Sequence, residues 1–141
     1  MEVLADINVL LALADPKHVH NQRVETWFSA LEEGSKLLIC RTVQMGLLRL
    51  LVNPAVMQNE ALSLKEAWVF YGNLIQDPCI FEVKEPDGLQ AIWAELCFDF
   101  GSSPKVVADA FLAAFAIAGK YMLVSLDKGF EQYEGLDLIL L

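Results

Sequence analysis

Short apolar runs alternate with longer stretches of helical periodicity along the chain, and this alternation limits the fold more than any other feature of the sequence. Strands that are separated by helices form a parallel sheet, because a parallel neighbour is reached only through a crossover connection. We therefore predict a single α/β domain over residues 1–141, with a central, mainly parallel sheet of about four or five strands and helices on both faces. The predicted strands are residues 3–5, 37–40, 79–83, 122–125 and 138–141.

Turn and capping residues mark where the predicted helices begin and end. Ser63, with Glu66 three residues later, has the pattern of a capping box. Ser103 followed by Pro104 suits the first positions of a helix, and the Asn-Pro pair at 53–54 is expected to end the helix before it. The predicted helices are residues 8–14, 20–33, 42–52, 63–75, 87–100 and 103–119.

The chain carries a formal net charge of −9, which argues against non-specific binding of a polyanion. A nucleic-acid enzyme remains compatible with this charge if its acids cluster around metal ions, since the ion reverses the local charge. No Asp or Glu lies between Glu33 and Glu60, and this window contains Lys36, Arg41 and Arg49. These bases either meet a backbone phosphate or lie by chance on a solvated face.

The three cysteines, Cys40, Cys79 and Cys97, are far apart and form no C-x-x-C pair. This spacing is typical of reduced thiols in a cytoplasmic protein and not of a disulfide framework or a zinc site. The N-terminus lacks a basic region, so no signal peptide is predicted. The longest apolar run, residues 110–118, is far shorter than the ~20 residues that span a bilayer. The sequence thus predicts a cytoplasmic protein without a membrane segment.

Three aspartates stand out by their positions relative to the predicted elements. Asp6 directly follows the first strand, and Asp127 follows the fourth strand after one intervening residue. Functional side chains of parallel sheets lie at the carboxyl ends of strands, although either Asp is equally suited to cap the next helix. Asp109 lies one turn inside a helix in an almost wholly apolar run, where an unpaired carboxylate is costly. A Lys105–Asp109 pair is the alternative explanation for this third aspartate.

A Mg²⁺ or Mn²⁺ site accounts for all three aspartates together. Hard divalent cations prefer oxygen ligands and commonly combine carboxylates with water and substrate phosphate. Such an ion activates water and stabilises an in-line phosphoryl displacement. Asn8 and Ser125 are placed to orient the carboxylates, and Asn8 also to contact phosphate. His18 and His20 are alternative ligands, but two histidines in a polar turn are more often surface residues.

Four short motifs follow one another along nearly the whole chain. They are Asp6-x-Asn8, Gln44-x-Gly46-x-x-Arg49, Asp109-Ala110 with Ala113-Ala114, and Ser125-Leu126-Asp127-x-x-Phe130. This ordered set resembles the PIN-domain ribonucleases, most closely the VapC-like toxins, and the segment TVQMGLLRLLVNPAV is similar to a segment of one VapC-like subgroup. No single motif is specific, but the set is, because each motif lies on the expected element.

The resemblance implies a PIN fold, Mg²⁺- or Mn²⁺-dependent endoribonuclease activity and a tightly bound antitoxin. By position, Asp6, Asp109 and Asp127 match the family's acidic metal ligands. Many members have a Glu where this chain has Gln44, and a further acid where it has Gly129. The resemblance therefore implies weak metal binding, with substrate phosphate completing the site. The alternative is that Gln44 only bonds neighbouring backbone or an aspartate oxygen.

The leading hypothesis is a toxin ribonuclease that cleaves RNA and binds a cognate antitoxin. The excess of apolar residues, 55% of the chain, and an amphipathic helix carrying Val24, Trp27, Phe28 and Leu31 predict a homodimer and a groove for an antitoxin segment. The candidates for supporting or substrate-contacting roles are Asn8, Gln44, Arg49 and Ser125. Two other functions stay open: a housekeeping nuclease of RNA processing, and a catalytically inactive PIN-like binding module.

Overall fold

The computed structural model describes residues 1–141, and its centre is a five-stranded sheet in which every neighbouring pair of strands is parallel. The strands are β1 (Glu2–Ala5), β2 (Lys36–Ile39), β3 (Ile80–Glu82), β4 (Met122–Ser125) and β5 (Leu138–Leu140). Their order across the sheet is β3-β2-β1-β4-β5. The predicted α/β fold with a parallel sheet is confirmed, and each predicted strand matches an observed one to within about one residue at either end.

The inner strands are buried on both faces, as their unbroken apolar runs predict. Residues 3–5 of β1 have no exposed surface, and Leu123 and Val124 of β4 are equally buried. Burial on both sides is the usual environment of a parallel strand, because helices cover each face of the sheet. The edge strands β3 and β5 differ, since Phe81 and Leu140 keep exposed surface.

Seven helices connect the strands. They are α1 (Ile7–Ala14), α2 (Asn21–Ser29), α3 (Arg41–Leu51), α4 (Pro54–Met57), α5 (Leu64–Leu74), α6 (Leu89–Cys97) and α7 (Pro104–Gly119), with 3₁₀ segments at Gln58–Glu60 and Lys128–Gln132. The predicted capping box is present at the start of α5, where Ser63 and Glu66 each accept the other's backbone N–H. None of the helices combines the length and the apolar character needed to cross a membrane.

Two helix predictions are wrong in detail, and one short helix was not predicted. The helix predicted over 20–33 ends at Ser29, because the chain turns toward β2 through Gly34 at φ +85°. The helix before Asn53-Pro54 ends at Leu51, as predicted, but Pro54 also begins the unpredicted short helix α4, which the Asn53 side chain caps. Ser103 precedes α7 as predicted, but its side chain makes no capping hydrogen bond.

The direction of the strand connections reverses between β1 and β4. From β1 the chain moves to β2 and β3 on one side, and α6 and α7 then return it across the sheet to β4. Since crossover connections are right-handed, this reversal puts α1 to α5 on one face and α6 and α7 on the other. Consistently, α1 contacts α2 and α3, while α6 packs along α7. In open α/β sheets, ligand sites lie outside the carboxyl ends of the strands at such a switch point.

Candidate active site

Asp6 and Asp127 follow the two strands at which the sheet reverses direction. Asp6 is the N-cap of α1, and Asp127 is the N-cap of the segment Lys128–Gln132. Each carboxylate accepts a hydrogen bond from the segment it caps, from Ile7 N–H at 2.7 Å and from Gly129 N–H at 2.8 Å. The capping explanation therefore holds for both residues, and capping fixes both side chains at the carboxyl edge of the sheet.

Ser125 joins these two aspartates through one hydroxyl group. The hydroxyl donates to Asp6 Oδ2 at 2.7 Å and accepts from the Asp127 N–H at 2.9 Å. Ser125 has no exposed surface, and Asp6 is 9% exposed. The last residue of β4 thus orients the carboxylate that follows β1.

Asp109 reaches the same region from α7. Its side chain is 23% exposed, and Lys105 Nζ, one helical turn earlier, lies 3.7 Å from Asp109 Oδ2. The same ammonium lies 3.2 Å from Asp127 Oδ2. The alternative Lys105–Asp109 pair is therefore present, but Lys105 is shared between two carboxylates. The Lys105 side chain is 71% exposed, so each of these ion pairs is weakened by solvent.

A cleft of about 810 Å³ opens over these carboxylates. Its charged and polar lining includes Asp6, Asn8, Arg49, Lys105, Asp109 and Asp127. Gly46 of α3 also lines the cleft, and a Cβ at this position would collide with the Ile7 side chain. The glycine therefore allows α3 to pack closely against the start of α1, which brings Arg49 to the cleft.

Burial and mutual repulsion disfavour the charged forms of two carboxylates. Desolvation raises the pKa of Asp6, the hydrogen bond from Ser125 lowers it, and the charges of Asp109 and Asp127 raise it further. Desolvation also raises the pKa of Asp109, and Lys105 opposes this shift. A backbone hydrogen bond lowers the pKa of Asp127. The cleft is thus a set of repelling carboxylates that an added cation would stabilise.

Asp6, Asp109 and Asp127 offer carboxylate oxygens, which are the ligand atoms that a hard divalent cation prefers. The carboxylates do not converge on one point, and no group of three His, Cys, Asp or Glu side chains is arranged to enclose a metal ion. Lys105 lies between Asp109 and Asp127 as their counter-charge, and Asp6 accepts two internal hydrogen bonds. The chemistry of the donor set fits Mg²⁺ or Mn²⁺, and a bound ion would replace Lys105 at these oxygens.

Gln44 lies outside this cleft. It is 5% exposed, accepts a hydrogen bond from Arg41 and lines a separate pocket beyond the ends of β2 and β3. The expectation that Gln44 occupies a ligand position beside the aspartates therefore gains no support from the structure, because its side-chain oxygen is held by Arg41. Gly129, the other neutral position, contributes only its backbone N–H to Asp127.

The basic residues of the window between Glu33 and Glu60 separate in the fold. Arg49 lines the cleft, and Arg41 lines the pocket of Gln44. Lys36 begins β2 at the opposite edge of the sheet, where its Nζ lies 3.7 Å from a Glu2 carboxylate oxygen. Lys36 is thus excluded from phosphate binding at the cleft.

His18 and His20 lie beside the cleft and not in it. Both histidines, with Lys128, line a shallow pocket that also touches Asp127. His18 Nδ1 accepts the His20 N–H at 3.1 Å, and both side chains are partly exposed. They form no metal-binding group with the carboxylates.

The apolar face predicted on residues 20–33 packs inside the chain. Val24 is fully buried, and Trp27 and Phe28 pack against the core. Exposed apolar side chains are scattered over several elements, and α5 carries a group of them, including Leu64, which is 70% exposed, and Trp68, which is 54% exposed. Trp27, Phe28 and Leu31 nevertheless keep part of their surface exposed, so the expected partner surface on this helix stays a prediction.

The protein is thus an α/β protein with an open parallel sheet and acidic side chains at its switch point, and comparison with known sequences identifies its family. The PIN domain family model matches residues 3–136, and the chain belongs to the PIN-domain family. It is similar to the ribonuclease VapC41 of Mycobacterium tuberculosis, with 38% identity over 99% of this chain and 98% of the relative. The ribonuclease VapC29 of the same organism is 30% identical over 96% of this chain and 92% of the relative.

Solved structures share the fold over nearly the whole chain. VapBC2 from Rickettsia felis, bound to a DNA fragment from its promoter, matches with a TM-score of 0.73 and 14% identity, covering 99% of this chain and 98% of that chain. VapC20 of Mycobacterium tuberculosis, a sarcin-ricin loop cleaving toxin, matches with a TM-score of 0.64 and 12% identity over 92% of each chain. At these identities the two structures establish the PIN fold and nothing finer.

Proposed function

We propose that the chain is a divalent-metal-dependent endoribonuclease and the toxin of a toxin–antitoxin pair. The observation that carries this proposal is that Asp6, Asp109 and Asp127 all line one cleft at the switch point of the sheet. The end-to-end similarity to ribonucleases named VapC supports RNA as the substrate.

The three aspartates would hold Mg²⁺ or Mn²⁺, and Ser125 would keep Asp6 turned toward the ion. When bound, the ion supplies an activated water and stabilises the charge that develops on the phosphate during hydrolysis. Burial raises the pKa of both Asp6 and Asp109, so a nearby positive charge would favour the ionised form of each carboxylate. The role of this chain's own residues is thus to collect negative charge at one edge of a rigid sheet.

Arg49 and Lys105 give the acidic protein two cationic groups at this cleft. Arginine suits a phosphate because its planar donors match phosphate oxygens bidentately. Lys105 would move from the carboxylates to a phosphate of the RNA strand when the ion takes its place. Asn8, at the start of α1 and on the same cleft, can donate its side-chain amide to the same phosphate.

The partners that we propose are an antitoxin protein and a second copy of the chain. Solved neighbours include a toxin–antitoxin complex from Klebsiella pneumoniae. The exposed side chains Leu64, Trp68 and Val69 of α5 form an apolar face of the kind that protein interfaces cover. We place the protein in the cytoplasm, in agreement with its three free cysteines.

Expression of the chain with and without the short gene beside its own, followed by mapping of RNA 5′ ends, tests this function. New 5′ ends and arrested growth are expected only when the chain is expressed alone. Asp109→Asn should abolish both effects. Asp99→Asn, which removes an equal charge from an exposed position away from the cleft, should retain both. Arrest by Asp109→Asn equal to wild type would contradict a ribonuclease toxin.

A further inference from the structure

A second cavity lies on the same edge of the sheet as the carboxylate cleft. It has a volume of about 400 Å³, within the usual range of ligand pockets. Gln44 and Arg41 line it from the start of α3, and Glu82 and Glu85 line it from the end of β3 and the loop after it. Phe111 supplies an apolar wall from α7. The lining thus combines the donors Arg41, Gln44 and Lys84 with the carboxylates Glu82 and Glu85 and an aromatic ring.

Gln44 presents a hydrogen-bond donor to this cavity. The side chain is 95% buried, and its oxygen accepts from the Arg41 guanidinium. Because arginine can only donate, this contact fixes the oxygen toward Arg41 and leaves the amide nitrogen on the other side. That nitrogen donates to no group of the protein. Since Tyr133 Oη is the one buried side-chain polar atom without a partner, the Gln44 nitrogen is not fully buried, and it is exposed to the cavity that Gln44 lines.

Glu82 presents acceptors to the same cavity. The Tyr71 hydroxyl donates to Glu82 Oε1 at 2.8 Å and fixes the carboxylate at the end of β3. The second oxygen, Oε2, accepts no hydrogen bond from the protein. Glu85, three residues later, adds another carboxylate to the lining. The cavity therefore combines a fixed amide donor with a fixed carboxylate acceptor.

The cavity is close enough to the cleft to take a nucleotide next to the one whose phosphate is cleaved. Strands β1, β2 and β3 are consecutive neighbours in the sheet, and adjacent strands lie about 4.8 Å apart. The end of β3 is therefore only about 10 Å from the end of β1, where Asp6 lies. An RNA strand whose phosphate enters the cleft can place a neighbouring base in the cavity.

We propose that this cavity binds a guanine base of the RNA strand, a specificity site that rests on the proposed ribonuclease function. Guanine carries adjacent N1–H and N2–H donors, which match the carboxylates of Glu82 and Glu85. Its O6 and N7 acceptors match the amide nitrogen of Gln44 and the guanidinium of Arg41. Adenine and cytosine present one exocyclic amine and acceptors on the same edge, and uracil has no amine. None of these three bases therefore matches both the carboxylates and the donors of the cavity. The Phe111 ring packs on the base, because aromatic side chains stack on nucleobases.

Titration with nucleoside monophosphates, without metal, tests the cavity separately from cleavage. The side-chain amide signal of Gln44 in ¹H–¹⁵N spectra is assigned by its loss in Gln44→Met, a change of similar volume. GMP should shift this signal at concentrations roughly tenfold lower than AMP, CMP or UMP, since one bidentate base contact is worth about that discrimination. Glu85→Gln, at an exposed position, should remove the preference for GMP and keep the fold. Gln22→Met on the exposed side of α2 should keep the preference.

The outcomes separate the base site from the ribonuclease function. A GMP-specific shift in a protein that cleaves no RNA supports the base site and contradicts the proposed activity. Cleavage without a GMP-specific shift, and with the same sequence preference in wild type and Glu85→Gln, overturns the base site alone. An amide signal that responds to none of the four nucleotides also overturns it.

Discussion

The Ser125 hydroxyl donates to Asp6 Oδ2 at 2.7 Å across 119 residues of sequence. Ser125→Ala leaves this buried carboxylate oxygen without a donor, which should lower the free energy of unfolding by about 1–3 kcal/mol. Cleavage should fall about 10- to 100-fold, as is usual for groups that orient a metal ligand. Denaturant unfolding and initial rates measure both effects. Ser103→Ala is the matched control, since the Ser103 side chain makes no capping hydrogen bond.

Asp6→Asn should stabilise the fold while abolishing activity. Burial raises the pKa of Asp6 from 3.8, so the folded state favours the protonated carboxyl. The protonated Asp6 carboxyl therefore stabilises the folded state fully below pH 3.8, and this stabilisation is lost as the pH rises through the raised pKa. At pH 7 the neutral variant should have the higher midpoint of thermal unfolding, and this advantage should disappear on acidification. An advantage that persists at pH 3 would contradict the account of Asp6.

Lys105→Gln should tighten Mn²⁺ binding a few-fold, because it removes the ammonium that lies 3.7 Å from Asp109 and 3.2 Å from Asp127. The same change should weaken RNA binding if the ammonium contacts phosphate in the complex. Isothermal titration with Mn²⁺ measures the first effect. Lys65→Gln, on the exposed surface of α5, serves as the control. Weaker Mn²⁺ binding by Lys105→Gln would place the ion away from these two carboxylates.

Two glycine-to-alanine changes should have opposite effects on stability. At Gly119 a Cβ would lie 2.8 Å from Cζ of Tyr121, whose ring packs over the end of α7. Gly119→Ala should therefore destabilise by about 1–3 kcal/mol. At Gly72, inside α5, a Cβ meets nothing within 4 Å, so Gly72→Ala should stabilise by about 0.5–1 kcal/mol. Denaturant unfolding of both variants checks the signs, and two changes of equal sign would contradict this packing.

The sheet and the positions of Asp6 and Asp127 could be predicted because both depend on local patterns. Short apolar runs specify buried parallel strands, and a polar residue directly after such a strand lies at the carboxyl edge wherever the strand falls in the sheet. Asp109 could be predicted because a carboxylate in an apolar helix requires a partner. These inferences use only the residue and its neighbours in sequence.

The features that the sequence missed depend on contacts between distant elements. Lys105 was assigned to Asp109 alone, because nothing in its spacing indicates that Asp127 also faces it. Gln44 was expected beside the aspartates, but the face of α3 that it occupies meets the end of β3 and not the cleft. The contact of α2 with α1, which buries Val24, was likewise not indicated by the spacing of its apolar residues. Such errors are unavoidable when the packing of helices is unknown.

Cleavage of RNA by the purified chain, with and without divalent metal, tests the central claim most directly. Wild type should cleave in Mg²⁺ or Mn²⁺ and stop in excess EDTA, with recovery when Mn²⁺ is restored. Asp109→Asn should be inactive in both conditions while its unfolding remains cooperative, and Asp99→Asn should behave as wild type. Wild-type cleavage that continues in excess EDTA, or full cleavage by Asp109→Asn, would contradict a metal-dependent site built from Asp6, Asp109 and Asp127.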